Sequence, residues 1–119
     1  MCGIVGIHAL PNDELRNLIA KMNGFQIHRG PDSEGTYTDI KCGISMAMRR
    51  LEIIDVAGGV QPMQSDNGRF ILIFNGEIVN SPELRIELEA QGEAFSSGHS
   101  DTEVLLKLLC REGVNALPR

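Results

Sequence analysis

An α+β fold is what this sequence predicts, and three observations carry the expectation. Residues 3–9 (Gly-Ile-Val-Gly-Ile-His-Ala) and 69–74 (Arg-Phe-Ile-Leu-Ile-Phe) are apolar, β-branched runs of strand length. Residues 81–91 and 100–112 each open on a cap signal and close before a glycine, as helices do. No internal repeat, low-complexity segment or linker divides the chain, and 119 residues suffice for one domain, 1–119, with a real core.

The elements follow in order. The run 3–9 is bounded by Pro11-Asn12 and reads as a buried strand, whose Gly3 and Gly6 allow another backbone or a ligand to come close. Asn12 or Asp13 is placed to cap a helix through Met22, with Leu15, Leu18, Ile19 and Met22 on one face. Residues 23–35 carry Gly, Pro, Asp and Ser and read as an extended loop. Two strands follow, at 36–38 and 43–51, joined across 39–42, and 52–68 reads as irregular. The run 69–74 is apolar on both faces and therefore reads as a central strand, ending at Asn75-Gly76, a dipeptide suited to positive φ. Ser81-Pro82-Glu83 opens a helix with a cap, a first-turn proline and an acid at the positive end, and Gly92 stops it. Ser100 and Glu103 form a capping-box pattern ahead of Val104-Leu105-Leu106, with Gly113 as the stop.

Composition excludes several classes. Hydrophobic residues at 42% and charged residues at 23% describe a globular chain and not a disordered one. A net charge of −5, scattered basic residues and five aromatics argue against a nucleic-acid partner. No apolar run reaches bilayer-spanning length and no secretory leader is visible, so no membrane partner is expected. The cysteines, at 2, 42 and 110, are odd in number and far apart. That suits a reducing, cytoplasmic setting and gives no disulfide framework. Neither they nor His8, His28 and His99 have the spacing of a metal site, so no metal is expected; Cys42 and Cys110 read as core residues.

Chemistry enters at position 2. Removal of Met1 would leave Cys2 with a thiol and an α-amine on one residue. Such groups titrate near ~8.5 and ~7.7–8.0 in model peptides. Near neutrality the amine can therefore take the thiol proton, whereas inside a Met–Cys peptide bond it is an amide and no base. A small buried cysteine is the alternative reading of the same residue.

Five motifs stand in order: Met1-Cys2-Gly3-Ile4-Val5-Gly6, His28-Arg29-Gly30-Pro31-Asp32, Arg50-Leu51-Glu52-Ile53-Ile54-Asp55, Asn75-Gly76-Glu77-Ile78-Val79-Asn80 and Ser100-Asp101-Thr102-Glu103. Together they closely resemble the glutaminase domain of class II glutamine amidotransferases over essentially the whole chain. Gly58-Gly59-Val60-Gln61-Pro62 and Pro82-Glu83-Leu84-Arg85 point to the asparagine-synthetase branch.

The resemblance implies an N-terminal-nucleophile hydrolase that converts L-glutamine to glutamate and ammonia, on an αββα sandwich. Cys2 matches the family nucleophile, and Asn75 (side-chain amide) with Gly76 (backbone N–H) its oxyanion hole. Arg50 matches the residue gripping the α-carboxylate, a bidentate task suited to guanidinium. Asp101 matches the α-ammonium ligand and Glu77 a second acidic contact, while the backbone around Leu51 and Ile53 lines the pocket. His28 to Asp32 matches a loop that supports the site. Met48 departs from the pattern, for many relatives carry histidine two residues before the arginine.

The family pattern continues past the point where Ala116-Leu117-Pro118-Arg119 stands, so the resemblance implies a partial sandwich lacking the last strands. It further implies no cofactor in this segment, with ATP and Mg belonging to a synthetase domain that is missing here. That domain, or a complementing segment, is the expected partner. On this reading the chain alone is expected to be poorly soluble or weakly active. Two other readings stay open: a catalytically incompetent glutamine-binding module, and an assembly fragment of a split amidotransferase.

Overall fold

Three antiparallel strands and a helix make the first of two units in the computed structural model, which describes residues 2–10, 12–52 and 59–118. The units are Met1–Ile53 with Ile73–Asn75, and Ile54–Leu72 with Gly76–Arg119. In the first, β1 (Gly3–His8), α1 (Leu15–Gly24), β2 (Ser33–Asp39) and β3 (Ile44–Arg50) succeed one another, and the sheet order is β1-β3-β2. The register runs from Gly3↔Arg49 to His8↔Ile44 on one side of β3 and from Ser33↔Arg50 to Asp39↔Ile44 on the other. Being central, β3 holds the most deeply buried residues of the sheet, among them Ala47 and Met48.

Helix α1 packs on this sheet through Leu15, Ile19 and Asn23, a stripe at i, i+4, i+8. Leu18, expected on the same face, is 48% exposed because it lies at the edge of that narrower stripe. The expected side-chain cap is also displaced. Asn12 Oδ1 accepts the N–H of Glu14 at 2.8 Å in a turn ahead of the helix, and the cap position, Glu14, makes no side-chain cap bond.

The loop expected over 23–35 ends early, because β2 starts at Ser33. Cross-strand chemistry recruits these polar residues into the sheet: Glu34 pairs with Arg49 at 2.7 Å, and the Thr38 and Ser45 hydroxyls meet at 2.6 Å. The turn back to β3 needs a glycine. Gly43 has φ 67°, and a Cβ there would fall 1.8 Å from Ala9 O. Cys42, in the same turn, is exposed and not a core residue. Its thiol hydrogen-bonds the Asp39 carboxylate, which together with the charge of that carboxylate raises the thiol pKa.

The second unit contains β4 (Met63–Gln64), β5 (Ile71–Leu72), α2 (Ser81–Ala90), α3 (Asp101–Glu112) and a closing 3₁₀ turn, Gly113–Ala116. The run 69–74 is not a central strand. Only Ile71 and Leu72 are in strand conformation, both half-buried, and among the described residues they pair on one side alone, with β4. A continuous apolar run reports low polarity, not the number of strand neighbours. The turn at Ser65–Arg69, where Asn67 Oδ1 accepts from Ser65 Oγ and from Arg69 N–H, folds this run into a short hairpin.

Helices α2 and α3 pack through Leu84, Leu88, Val104 and Leu108, with Ala116, Ile78 and Phe95 around them. Helix α2 begins at Ser81 itself, so its cap position is Asn80, one residue before the expected one. Its end is as expected: Gly92 has φ 91°, and Glu93 N–H reaches back to Leu88 O at 3.0 Å. Helix α3 matches its expected bounds, capped by Ser100 and stopped at Gly113, φ 61°. Cys110 on α3 is half-buried. No helix among the described residues is long and apolar enough to cross a membrane.

Candidate functional site

Cys2 lies immediately before β1, beside the point where β3 ends and the chain passes into Leu51. The antiparallel pairing of Gly3 with Arg49 brings these two chain ends together. The Leu51 N–H donates to Cys2 Sγ at 3.4 Å, and Sγ lies 3.8 Å from Leu51 O. The half-buried sulfur is thus held by main-chain groups.

The carbonyl oxygen of Cys2 is held more firmly still. Arg29 Nε and Nη2 both donate to it, each at 3.4 Å, and Asn75 Nδ2 donates at 3.0 Å. Asn75 belongs to the same unit as Cys2, through the short stretch Ile73–Asn75. Its carboxamide carries two N–H groups; one is directed at Cys2 O, and the second remains as a donor from the same rigid group.

The segment 28–32 is built against the end of β3. Gly30 lies so close that a Cβ there would sit 2.4 Å from Arg49 C and 2.5 Å from Arg50 N. Pro31 bridges to Arg50, Asp32 N–H donates to Arg50 O at 3.1 Å, and Asp32 Oδ2 accepts from Glu52 N–H at 2.9 Å. These contacts set the direction in which Arg50 leaves the strand. Its side chain is largely buried and lies 3.6 Å from Glu52 Oε1, so it is not a solvated strand-end charge.

In the second unit, Gly76 and Glu77 are exposed, and the next residue, Ile78, donates its N–H to Asp101 Oδ2 at 3.1 Å. The fourth and fifth motifs therefore meet at Asp101, in the first turn of α3. Thr102 Oγ1 donates to Asp101 Oδ1 at 3.4 Å and accepts from Gln61 Nε2 at 3.3 Å. Ser100 caps the helix by accepting Glu103 N–H, but Glu103 does not return the bond to complete a capping box. Its carboxylate turns upstream, taking the N–H and hydroxyl of both Ser96 and Ser97. Burial pushes its pKa up, but these four donors outweigh that and leave it lowered.

Of the sequence-predicted residues, Cys2, Leu51 and Asn75 are in direct contact, with Arg50 next to Leu51 at the same strand end. Asp101 is tied to the backbone following Glu77. Ile53 lies outside the described residues. Sequence reasoning missed Arg29 as an individual contact to Cys2: the second motif pointed to the loop, and no periodicity identifies a guanidinium that bonds a main-chain oxygen. None of the described residues predicted for the site lines the cavity of about 490 Å³ in the second unit, which lies among Met63, Glu93, Leu106, Lys107 and Cys110. Among the described residues no three His, Cys, Asp or Glu side chains converge as a metal cluster.

Comparison with known proteins is consistent across the chain. A family model described as a glutamine amidotransferase domain matches residues 1–119. Asparagine synthetase [glutamine-hydrolyzing] 1 of Bacillus subtilis (strain 168) is 48% identical over 110 residues, covering 89% of this chain and 17% of that protein. Asparagine synthetase B [glutamine-hydrolyzing] of Escherichia coli (strain K12) is 36% identical over 115 residues, 95% of this chain and 20% of the relative. A putative asparagine synthetase [glutamine-hydrolyzing] 2 of Methanocaldococcus jannaschii is 34% identical over 134 residues, 98% of this chain and 25% of the relative. The chain thus spans between 17% and 25% of the length of these relatives.

Proposed function

Because the chain belongs to the glutamine amidotransferase domain family, we propose that it is the glutamine-hydrolysing part of an asparagine-synthetase-like enzyme. The observation that carries this reading is the grip of Asn75 on Cys2, two motif residues 73 positions apart whose side-chain amide and carbonyl meet at 3.0 Å. The intact domain would be an N-terminal-nucleophile sandwich of αββα layers.

The chemistry requires that Met1 be removed. The α-amine of Cys2 then takes the thiol proton, and the thiolate attacks the side-chain carbonyl carbon of glutamine. The second N–H of Asn75 and the Gly76 N–H receive the developing oxyanion. Collapse of the tetrahedral intermediate breaks the C–N bond, the ammonium of Cys2 returns its proton to the leaving nitrogen, and ammonia departs. A thioester between Cys2 and the glutamyl group remains. Water adds to it, giving up a proton to the amine, and glutamate leaves as the thiol reforms.

Arg50 holds the substrate α-carboxylate, Asp101 and Glu77 its α-ammonium, and the main chain around Leu51 and Ile53 lines the pocket. The largely buried side chain of Arg50, on a main chain held by Pro31 and Asp32, supports that role. No step in this segment calls for a cofactor. ATP and Mg²⁺ belong to the synthetase part that would receive the ammonia.

Ammonia release from L-glutamine tests the reading, with intact-mass measurement of the same sample. Release by chain lacking Met1, abolished in Cys2→Ala and in chain retaining Met1, is the expected result. Glutamine binding without release would identify a non-catalytic binding module, and neither binding nor release an assembly fragment.

A further inference from the structure

We propose that Gln61 and Thr102 are positioning residues that orient the Asp101 carboxylate for an α-ammonium group, an inference resting on the glutamine-hydrolase reading above. Asp101 is half-buried in the first turn of α3, and each of its oxygens already has one protein donor: the Ile78 N–H at 3.1 Å and the Thr102 hydroxyl at 3.4 Å. Thr102 is the second residue of α3, so its hydroxyl has no helical carbonyl one turn back to bond and is available to other partners. Here Gln61 Nε2 donates to Thr102 Oγ1 at 3.3 Å, which fills an acceptor direction and turns the hydroxyl proton toward Asp101.

Gln61 and Thr102 are 8% and 4% exposed, so bulk water does not compete for the bond between them. An ionised carboxylate offers about four lone-pair directions. Two are occupied by the protein, one on each oxygen, which restrains rotation of the carboxylate. A carboxylate ordered before its ligand arrives loses less entropy on binding, and a primary ammonium, with several donors on one nitrogen, is the ligand that exploits it. Gln61 is 41 positions from Thr102 and is not among the residues expected to contact glutamine.

The test compares Thr102→Val with Thr102→Ser in the full chain, reading kcat and KM for ammonia release and inhibition by glutaramate, the same ω-amide without the α-ammonium. Thr102→Val is expected to raise KM for glutamine roughly three- to ten-fold, with kcat within about two-fold and glutaramate inhibition unchanged. Thr102→Ser, which keeps the hydroxyl, restores KM, and Gln61→Leu moves KM in the same direction as Thr102→Val.

An unchanged KM in Thr102→Val, or equal losses for glutamine and glutaramate, overturns the inference. If the chain binds glutamine by calorimetry without releasing ammonia, the hydrolytic function fails, and the same ratio read from Kd decides the positioning role. If it binds no glutamine, function and inference both fall.

Discussion

Asn75 donates its side-chain amide to the carbonyl oxygen of Cys2 at 3.0 Å, and the Arg29 guanidinium donates two further bonds to the same atom. One main-chain oxygen thereby accepts donors from two distant stretches. The nucleophile proposed here is held by its own backbone and not only by its sulfur.

Asn75→Ala removes both the tether and the proposed oxyanion donor. It is expected to lower kcat by about 10²-fold or more, with a smaller change in KM, as loss of one preorganised donor does. Steady-state ammonia release measures it, and kcat within three-fold of the unaltered chain would exclude the oxyanion role.

Arg29→Lys keeps the charge and loses the fork. A single ammonium cannot reproduce two parallel bonds to one oxygen. The expected outcome is a fall in kcat on the order of ten-fold with unchanged melting temperature, because Cys2 is displaced while the core is untouched. Equal activity of the lysine variant would show that charge alone suffices.

Gly30→Ala and Gly6→Ala make a matched pair. A methyl at Gly30 would lie 2.4 Å from the backbone of Arg49, whereas nothing lies within 4 Å of one at Gly6. Thermal unfolding is expected to show a loss of about 1–3 kcal/mol for Gly30→Ala and little or none for Gly6→Ala.

Glu103 links stability to acid. Its folded-state pKa lies below the ordinary value of 4.5, so its contribution is present above that value and is lost as pH falls through the lowered one. Glu103→Gln places an amide N–H group against serine donors and is expected to cost about 2 kcal/mol at pH 7. The difference from the unaltered chain shrinks on acidification. Melting curves across pH 3–7 check this, and a difference that grows toward low pH would contradict it.

Cys42 is exposed but is expected to be a slow thiol. The Asp39 carboxylate raises its pKa, which leaves less thiolate at neutral pH. Asp39→Asn is expected to speed alkylation of Cys42 at pH 7.5, read by mass spectrometry of the tryptic peptide. An unchanged rate would mean that exposure alone governs this thiol.

The elements written plainly in the sequence are those whose signals are local. Helix α3 keeps its bounds because Ser100 and Gly113 act on their own neighbours. Strand β2 was half hidden, since Ser33, Glu34 and Gly35 become strand only through partners on β3. The run 69–74 misled because hydrophobicity does not encode strand neighbours. Capping-box spacing likewise found Glu103 but not its side-chain partners, which lie upstream at Ser96 and Ser97. Within the candidate site, Cys2 and Asn75, which the structure brings into contact, were both singled out by their motifs. Arg29 was not, for a bond to a main-chain oxygen leaves no mark on residue type.

A polypeptide end freshly exposed by a peptidase ordinarily frays. In this chain the bonds from Arg29 and Asn75 fall on the side of the Cys2 α-carbon away from the Met1–Cys2 bond. Cutting that bond, as the proposed function requires, would sever none of these moorings, and the new terminus is expected to stay where the uncut residue sat. On the proposed function, maturation would require no refolding to arm the thiol.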